Sequence, residues 1–247
     1  MARRDLPPVP DHPELSPPVM LRGETAITIE GLAGEPSLEA RIFAPKNAKR
    51  AVVICHPHPL YGGTMHSAVP LAIAKVLTEL GGEDVATLRF NYRGVGESEG
   101  EYGEGRGETF DARAAIRTLR ANAPSAITSV CGYSFGTFVS LRAAAIERGV
   151  ERVALVAPAV RIFDFVKEDA SSSGAKIAIF VGDNDDFCDV DEARALAETI
   201  GAPLEVCPGA DHYFIKSRRK LAEHVAPFLA PEIIPALNAK LAERQTS

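Results

Sequence analysis

The chain has 247 residues, 46% of them hydrophobic and 24% charged, and a formal net charge of −6. That length allows one α/β domain with a sizeable core, and the acidic balance lacks the cationic excess that nucleic acid or an anionic membrane selects. No stretch is apolar for long enough to read as a signal peptide or a membrane span, so the expectation is a cytoplasmic protein with neither nucleic acid nor membrane as partner.

Along the chain, β-branched apolar runs alternate with helical patterns, the mark of parallel βαβ construction. Residues 1–23 read as a proline-rich arm, with six prolines in the first 18 residues. "ETAITIEGL" and "LEARIFAP" alternate apolar and polar residues and predict a hairpin or meander at a sheet edge. "RAVVICHP" opens the buried part, followed by helix "SAVPLAIAKVLTEL", strand "VATLRFNY" and helix "FDARAAIRTLRAN". Strand "AITSVCGYS" comes next, then helix "TFVSLRAAAIERG", strand "VERVALVAP" and strand "AKIAIFVG". Helix "DEARALAETIG", strand "PLEVCPG" and helix "KSRRKLAEHVAPFL" complete the pattern. The central strands are apolar on both faces, as a sheet covered by helices on both sides requires. The prediction is one domain over residues 24–234 with a mostly parallel sheet of about eight strands, then a C-terminal tail over 235–247.

An open parallel sheet places its ligand at the carboxyl ends of its strands, so the residues just past each strand carry the functional information. After "AITSVC" stand Gly132, Ser134 and Gly136, a G-x-S-x-G between a strand and a helix. In that context the pattern is a nucleophile elbow: a sharp turn lifts the serine hydroxyl above the sheet, and side chains at the flanking glycines would meet neighbouring backbone. The plain alternative is a serine in an ordinary glycine-rich turn.

A neutral serine needs a base, and the base needs a group to hold its tautomer. Of six histidines, His212 in "PGADHYF" follows the last predicted strand, on the edge where Ser134 should emerge. His224 has Leu221 and Phe228 at helical spacing and reads as the inner side of a surface helix, while His12 belongs to the arm. The orienting carboxylate belongs between nucleophile and base, and "FVGDNDDFCDVDE" offers it there. Asp189 and Glu192 read as a capping box with Asp191 in the following first turn. Asp185 is the choice among the remainder, three residues past Gly182, with Asp183 and Asp186 as competitors.

Acyl transfer also requires donors for an oxyanion. One is the N–H of Phe135, next after the serine; the second should come from "HPHPLYGG" after "AVVIC", where Pro57 and Pro59 have no N–H and His58 or Leu60 must supply it. His58 is favoured. His56 and His58 also form an H-x-H pair, but Leu60 and Tyr61 stand where a metal site would continue, so no metal and no cofactor is expected. Cys55, Cys131, Cys188 and Cys207 lack CxxC spacing and predict neither a disulfide framework nor zinc. "GESEGEYGEGRGET" lacks the ending of a phosphate loop and reads as a mobile loop beside the site. "KSRRK" would suit the phosphates of coenzyme A, but reads more simply as one turn of a solvated helix face.

From about Glu24 to the last helix the chain resembles the α/β-hydrolase superfamily. The "HPHPLYGG" loop, "FNYRGVGESEG", "GYSFG", and the pair "GDNDD" and "GADHYF" carry the resemblance in order. Asn91 departs from the acid usual in the second landmark, and Pro57 from the usual His-Gly of the first. The pattern is most similar to small bacterial serine hydrolases with a dienelactone-hydrolase-like or acyl-esterase core. The resemblance implies Ser134 as nucleophile, Asp185 as acid and His212 as base, acting on a carboxylic ester or thioester of a small acyl group through an acyl-enzyme. A ligand-binding or scaffold protein that keeps this fold without turnover is the competing class. Residues 160–175 are too few for a separate lid domain, so the site should be shallow and open, with room for one short helix there.

Overall fold

Period-two alternation becomes a sheet edge. The described residues are 17–245 of this computed structural model. They begin with β1 (Thr25–Ile29) and β2 (Leu38–Phe43), paired antiparallel with Thr25 opposite Ile42 and Ile29 opposite Leu38. β2 buries Leu38, Ala40 and Ile42 and leaves the residues between them half-buried.

The buried part alternates strand and helix. In order come β3 (Arg50–Cys55), α1 (Ala68–Gly81), β4 (Val85–Phe90), α2 (Arg106–Asn122), β5 (Ile127–Tyr133) and α3 (Phe135–Ile146). They are followed by β6 (Val150–Val156), α4 (Lys167–Ser173), β7 (Lys176–Asn184), α5 (Val190–Ile200), β8 (Leu204–Asp211), α6 (Arg218–Leu229) and α7 (Ile234–Gln245). The eight strands form one sheet in the order β1-β2-β4-β3-β5-β6-β7-β8. β2 meets β4 antiparallel, and every pair from β4 to β8 is parallel. β3 shows why the run had to be apolar throughout. Ala51, Val53 and Cys55 face a core with Ile116 and Leu119 of α2 and Val139 of α3, while Val52 and Ile54 face Ile73 and Leu77 of α1 and Val225 of α6.

Two predicted boundaries moved for local reasons. α2 begins four residues before its apolar period, because the Glu108 carboxylate accepts the Gly103 and Gly105 N–H groups and starts the helix there. The glycine-rich acidic stretch is therefore helical in its last four residues, and its start is held by Glu97 N–H donating to Glu39 Oε2 and Glu99 N–H donating to Ser37 O. The predicted tail is a helix instead, since Ile234–Gln245 forms α7 and buries Leu237. Residues 1–16 of the proposed arm lie outside the described residues. Its end is part of the domain: Arg89 on β4, 1% exposed, pairs with the fully buried Glu24 and donates to the carbonyls of Val19 and Met65. Removing one member of that pair would leave a buried charge alone, at a cost of about 3–5 kcal/mol.

Asn91 is explained by its neighbours. Its Oδ1 accepts from Met65 N–H at 2.9 Å and its Nδ2 donates to Glu39 Oε2 at 2.7 Å, so the amide serves a donor and an acceptor where an acid would face Glu39 with like charge. Among the described residues, no helix is long and apolar enough to cross a membrane.

Candidate active site

β5 ends at Tyr133 and α3 starts at Phe135, leaving Ser134 to make the turn alone with φ 52° and ψ −118°. A serine with positive φ is strained, and two contacts hold it: its N–H donates to Val156 O at 2.9 Å and its carbonyl accepts from Thr137 N–H at 3.0 Å. The flanking glycines are required by close approach. A Cβ on Gly132 would stand 2.2 Å from Gly136 O, and one on Gly136 would stand 2.5 Å from Cys55 O.

β8 delivers His212 and β7 delivers Asp185 to the same edge. His212 Nε2 lies 3.2 Å from Ser134 Oγ, and its Nδ1 lies 2.9 and 3.0 Å from the two oxygens of Asp185. An ionised carboxylate only accepts, which assigns the proton to Nδ1 and leaves Nε2 free to accept from the serine hydroxyl. Asp185 is 4% exposed, and its Oδ1 also accepts from Phe187 and Cys188 N–H at 2.8 and 3.0 Å. The imidazole is steadied by Tyr133, whose hydroxyl donates to His212 O, and by the Phe187 ring 4.6 Å away.

The competing aspartates do other work. Asp183 is exposed and accepts from Gly209 N–H, and Asp186 is exposed beside Arg161, which donates to its carbonyl. Asp189 and Glu192 form the capping box that begins α5. His224 is a correction to the sequence reading: it lies on the outer side of α6, half-exposed, paired with Glu205 of β8.

Phe135 and His58 both line the cavity with Ser134. Phe135 is the first residue of α3, where an N–H has no carbonyl four residues back, and no described residue accepts from it. Leu60 is the second correction. Its N–H turns back to His58 Nδ1 at 3.3 Å and the residue does not line the cavity, whereas no described residue accepts from His58 N–H. The His58 ring is locked by the same bond: with Nδ1 accepting, Nε2 carries the proton and donates to Tyr102 Oη at 3.1 Å. His56 is committed as fully, donating from Nδ1 to Pro57 O and accepting Tyr92 N–H at Nε2. Burial pushes the His58 pKa down to about 4 and that of His56 to about 3, so both rings stay neutral.

The cavity has a volume of about 330 Å³. The short connection between β6 and β7 holds α4 and sends Ala159, Ile162 and Phe163 to its wall. The site is thus lidless but not bare, since Phe163, Phe187 and Tyr213 give it aromatic sides. Sequence reasoning passed over Tyr102 and Phe163, and it read Arg218, within "KSRRK", as part of a solvated helix face, whereas it lines the cavity. The usable signal for Tyr102 was a lone aromatic in an acidic glycine-rich loop, and for Arg218 it was the basic run itself; Phe163 had none, because nothing local tells a wall residue from a surface one.

Two family models match the chain, one described as serine aminopeptidase S33 over residues 46–164 and one described as serine hydrolase over residues 112–229. An α/β serine hydrolase homologue from Coxiella burnetii is 34% identical, with a TM-score of 0.71, covering 87% of this chain and 100% of that one. A Xanthomonas campestris protein described as an α/β serine hydrolase without lid is 28% identical with a TM-score of 0.71, covering 87% and 99%. An uncharacterised Rickettsia prowazekii protein is 30% identical over 194 residues, 74% of this chain and 79% of that one. The chain belongs to the α/β-hydrolase superfamily, among its small lidless serine hydrolases.

Proposed function

We propose that this protein is an esterase-type hydrolase that cleaves a small-molecule carboxylic ester or thioester through an acyl-enzyme on Ser134. The observation that carries the reading is the unbroken hydrogen-bond line from the Asp185 carboxylate through His212 to Ser134 Oγ at a largely apolar cavity. In this reading Ser134 Oγ attacks the substrate carbonyl as its proton passes to His212 Nε2, and Asp185 stabilises the imidazolium that forms. The oxyanion takes hydrogen bonds from Phe135 and His58 N–H, each donor contributing about 10²–10³ in kcat. His212 then gives its proton to the departing alcohol or thiol, and water returns the enzyme by the same steps reversed. No cofactor enters, and the proposal includes a cytoplasmic setting without nucleic acid or membrane partners.

Charge argues for esters over free peptides. The α-ammonium group of an aminopeptidase substrate needs an acid to receive it, and among the described residues lining the cavity there is no Asp or Glu.

Volume sets the acyl length. A cavity of about 330 Å³ is at the low end of the roughly 300–1,000 Å³ range of ligand pockets. An ester and thioester panel on wild type and Ser134→Ala tests the function. Turnover should be highest from acetate to hexanoate, with no jump in rate past the solubility limit. A steady rise in kcat/KM toward long chains, or interfacial activation, would overturn the chain-length reading.

The acid limb of the pH profile supplies a further check. Only neutral His212 accepts the serine proton, while His56 and His58 protonate far below neutrality. Neither of these rings should therefore add a proton step to the kcat/KM profile between pH 5 and 8. A two-proton slope would bring a second histidine into the chemistry.

A further inference from the structure

Arg218 is the one permanently charged side chain among the described residues lining the cavity. It opens α6, six residues after His212, and its Nε donates to Tyr213 O at 3.1 Å. That bond fixes the guanidinium without neutralising it. Among the described residues no carboxylate is within ion-pair distance of Arg218, in contrast to its neighbour Arg219, which pairs with Glu79 and Glu223. Asp211, the nearby carboxylate of the same segment, accepts Ile215 N–H instead. Lys216 and Lys220 are exposed on either side, so the local balance is cationic on a chain with net charge −6.

The position of Arg218 says which part of a substrate it meets. His212 hands a proton to the departing atom, so the leaving group passes on the imidazole side of Ser134. Tyr213 and Phe187 stand on that side, their ring centroids 5.4 and 4.6 Å from His212, and Arg218 is bonded to the Tyr213 carbonyl. A second part of the cavity lining, the aromatic cluster of His58, Phe135 and Phe163, carries no charge; the His58 pKa, near 4, keeps it so. An acyl group is thus offered an aromatic surface, and a leaving group is offered a cation with two open NH₂ donors.

We propose that Arg218 selects esters and thioesters whose alcohol or thiol carries an anionic group, a carboxylate or a phosphate. The inference rests on the hydrolase reading above and adds the chemistry of the leaving group. A guanidinium offers such an anion two parallel hydrogen bonds, stronger than those between neutral groups.

Matched substrates read this directly. 4-Acetoxybenzoate against 4-acetoxybenzamide tests a carboxylate, and an acetyl thioester of 4′-phosphopantetheine against that of pantetheine tests a phosphate. The expected kcat/KM ratio of anionic to neutral member is about tenfold or more in at least one pair, shrinking as salt is raised. In Arg218→Glu that ratio should collapse by at least tenfold, and in Arg218→Lys it should be partly kept, because the charge remains without the fork. Binding of the same compounds to Ser134→Ala separates the two readings. Preferential binding of the anionic member without turnover by wild type would overturn the hydrolase reading and keep this one. Equal binding of both members, or a ratio unchanged in Arg218→Glu, would overturn the anion site.

Discussion

Ser134→Ala should lower kcat by about 10⁴-fold or more on any ester the wild type cleaves, and it should abolish labelling by a fluorophosphonate. The size of the effect follows from what remains. Alanine leaves the Phe135 and His58 donors and the cavity walls in place, so substrate still binds, but no atom is left to form the acyl-enzyme. Substrate binding should therefore change little while kcat collapses. The elbow itself should survive, since the strained turn is held by backbone bonds to Val156 and Thr137 and by the close packing of Gly132 and Gly136, none of which uses the hydroxyl. Mass spectrometry of the labelled wild type should place a single adduct on Ser134. An adduct on another serine, or appreciable activity in the alanine variant, would remove Ser134 from the chemistry.

Asp185→Asn should be nearly as damaging, by about 10⁴-fold in kcat. The reason is specific to this pocket. Asp185 Oδ1 receives Phe187 and Cys188 N–H, which only an oxygen can accept. An asparagine there must turn its carbonyl to those two groups and its NH₂ toward His212 Nδ1. A donor facing Nδ1 draws the imidazole proton to Nε2, the atom that has to accept from Ser134, and the base is lost without any movement of the backbone. Asp183→Asn and Asp186→Asn meet no such conflict and should stay within a few-fold of wild type. Steady-state kinetics of the three variants, with melting curves to verify folding, decide the matter. A severe loss in Asp183→Asn alone would move the acid by two residues.

Strand and helix order was legible because each element carries its own period, and the apolar runs of β3 to β7 admit little except burial on both faces. Ser134 was legible because one short stretch determines its turn. His212 and Asp185 were reached by position, each just past a strand on the right edge, and the structure brings both within hydrogen-bond distance of the serine line. What stayed hidden depends on distant parts of the chain. The start of α2 follows from a carboxylate folding back on glycines, α7 from an apolar face with no sequence signal strong enough to stand alone, and the uselessness of Leu60 from the rotamer of His58. The walls are the extreme case, since Phe163, Phe187 and Arg218 come from the β6–β7 connection, the loop after β7 and the first turn of α6.

The sheet order also divides the candidate machinery by local stability. Ser134 and His58 ride on β5 and β3, at the middle of the sheet and flanked by strands on both sides. Asp185 and His212 follow β7 and β8, and β8 is one of the two edge strands, with one neighbour, a register shift against it and mostly half-exposed residues. Openings of a native protein begin where backbone hydrogen bonds are most exposed, so β8 should exchange its amide protons before β5 does. The proposed nucleophile is thus expected in the slower-exchanging part of the fold and its proposed base in a faster one. In the proposed mechanism, fraying of this edge strand should therefore part acid and base from the serine at a free energy below that of global unfolding.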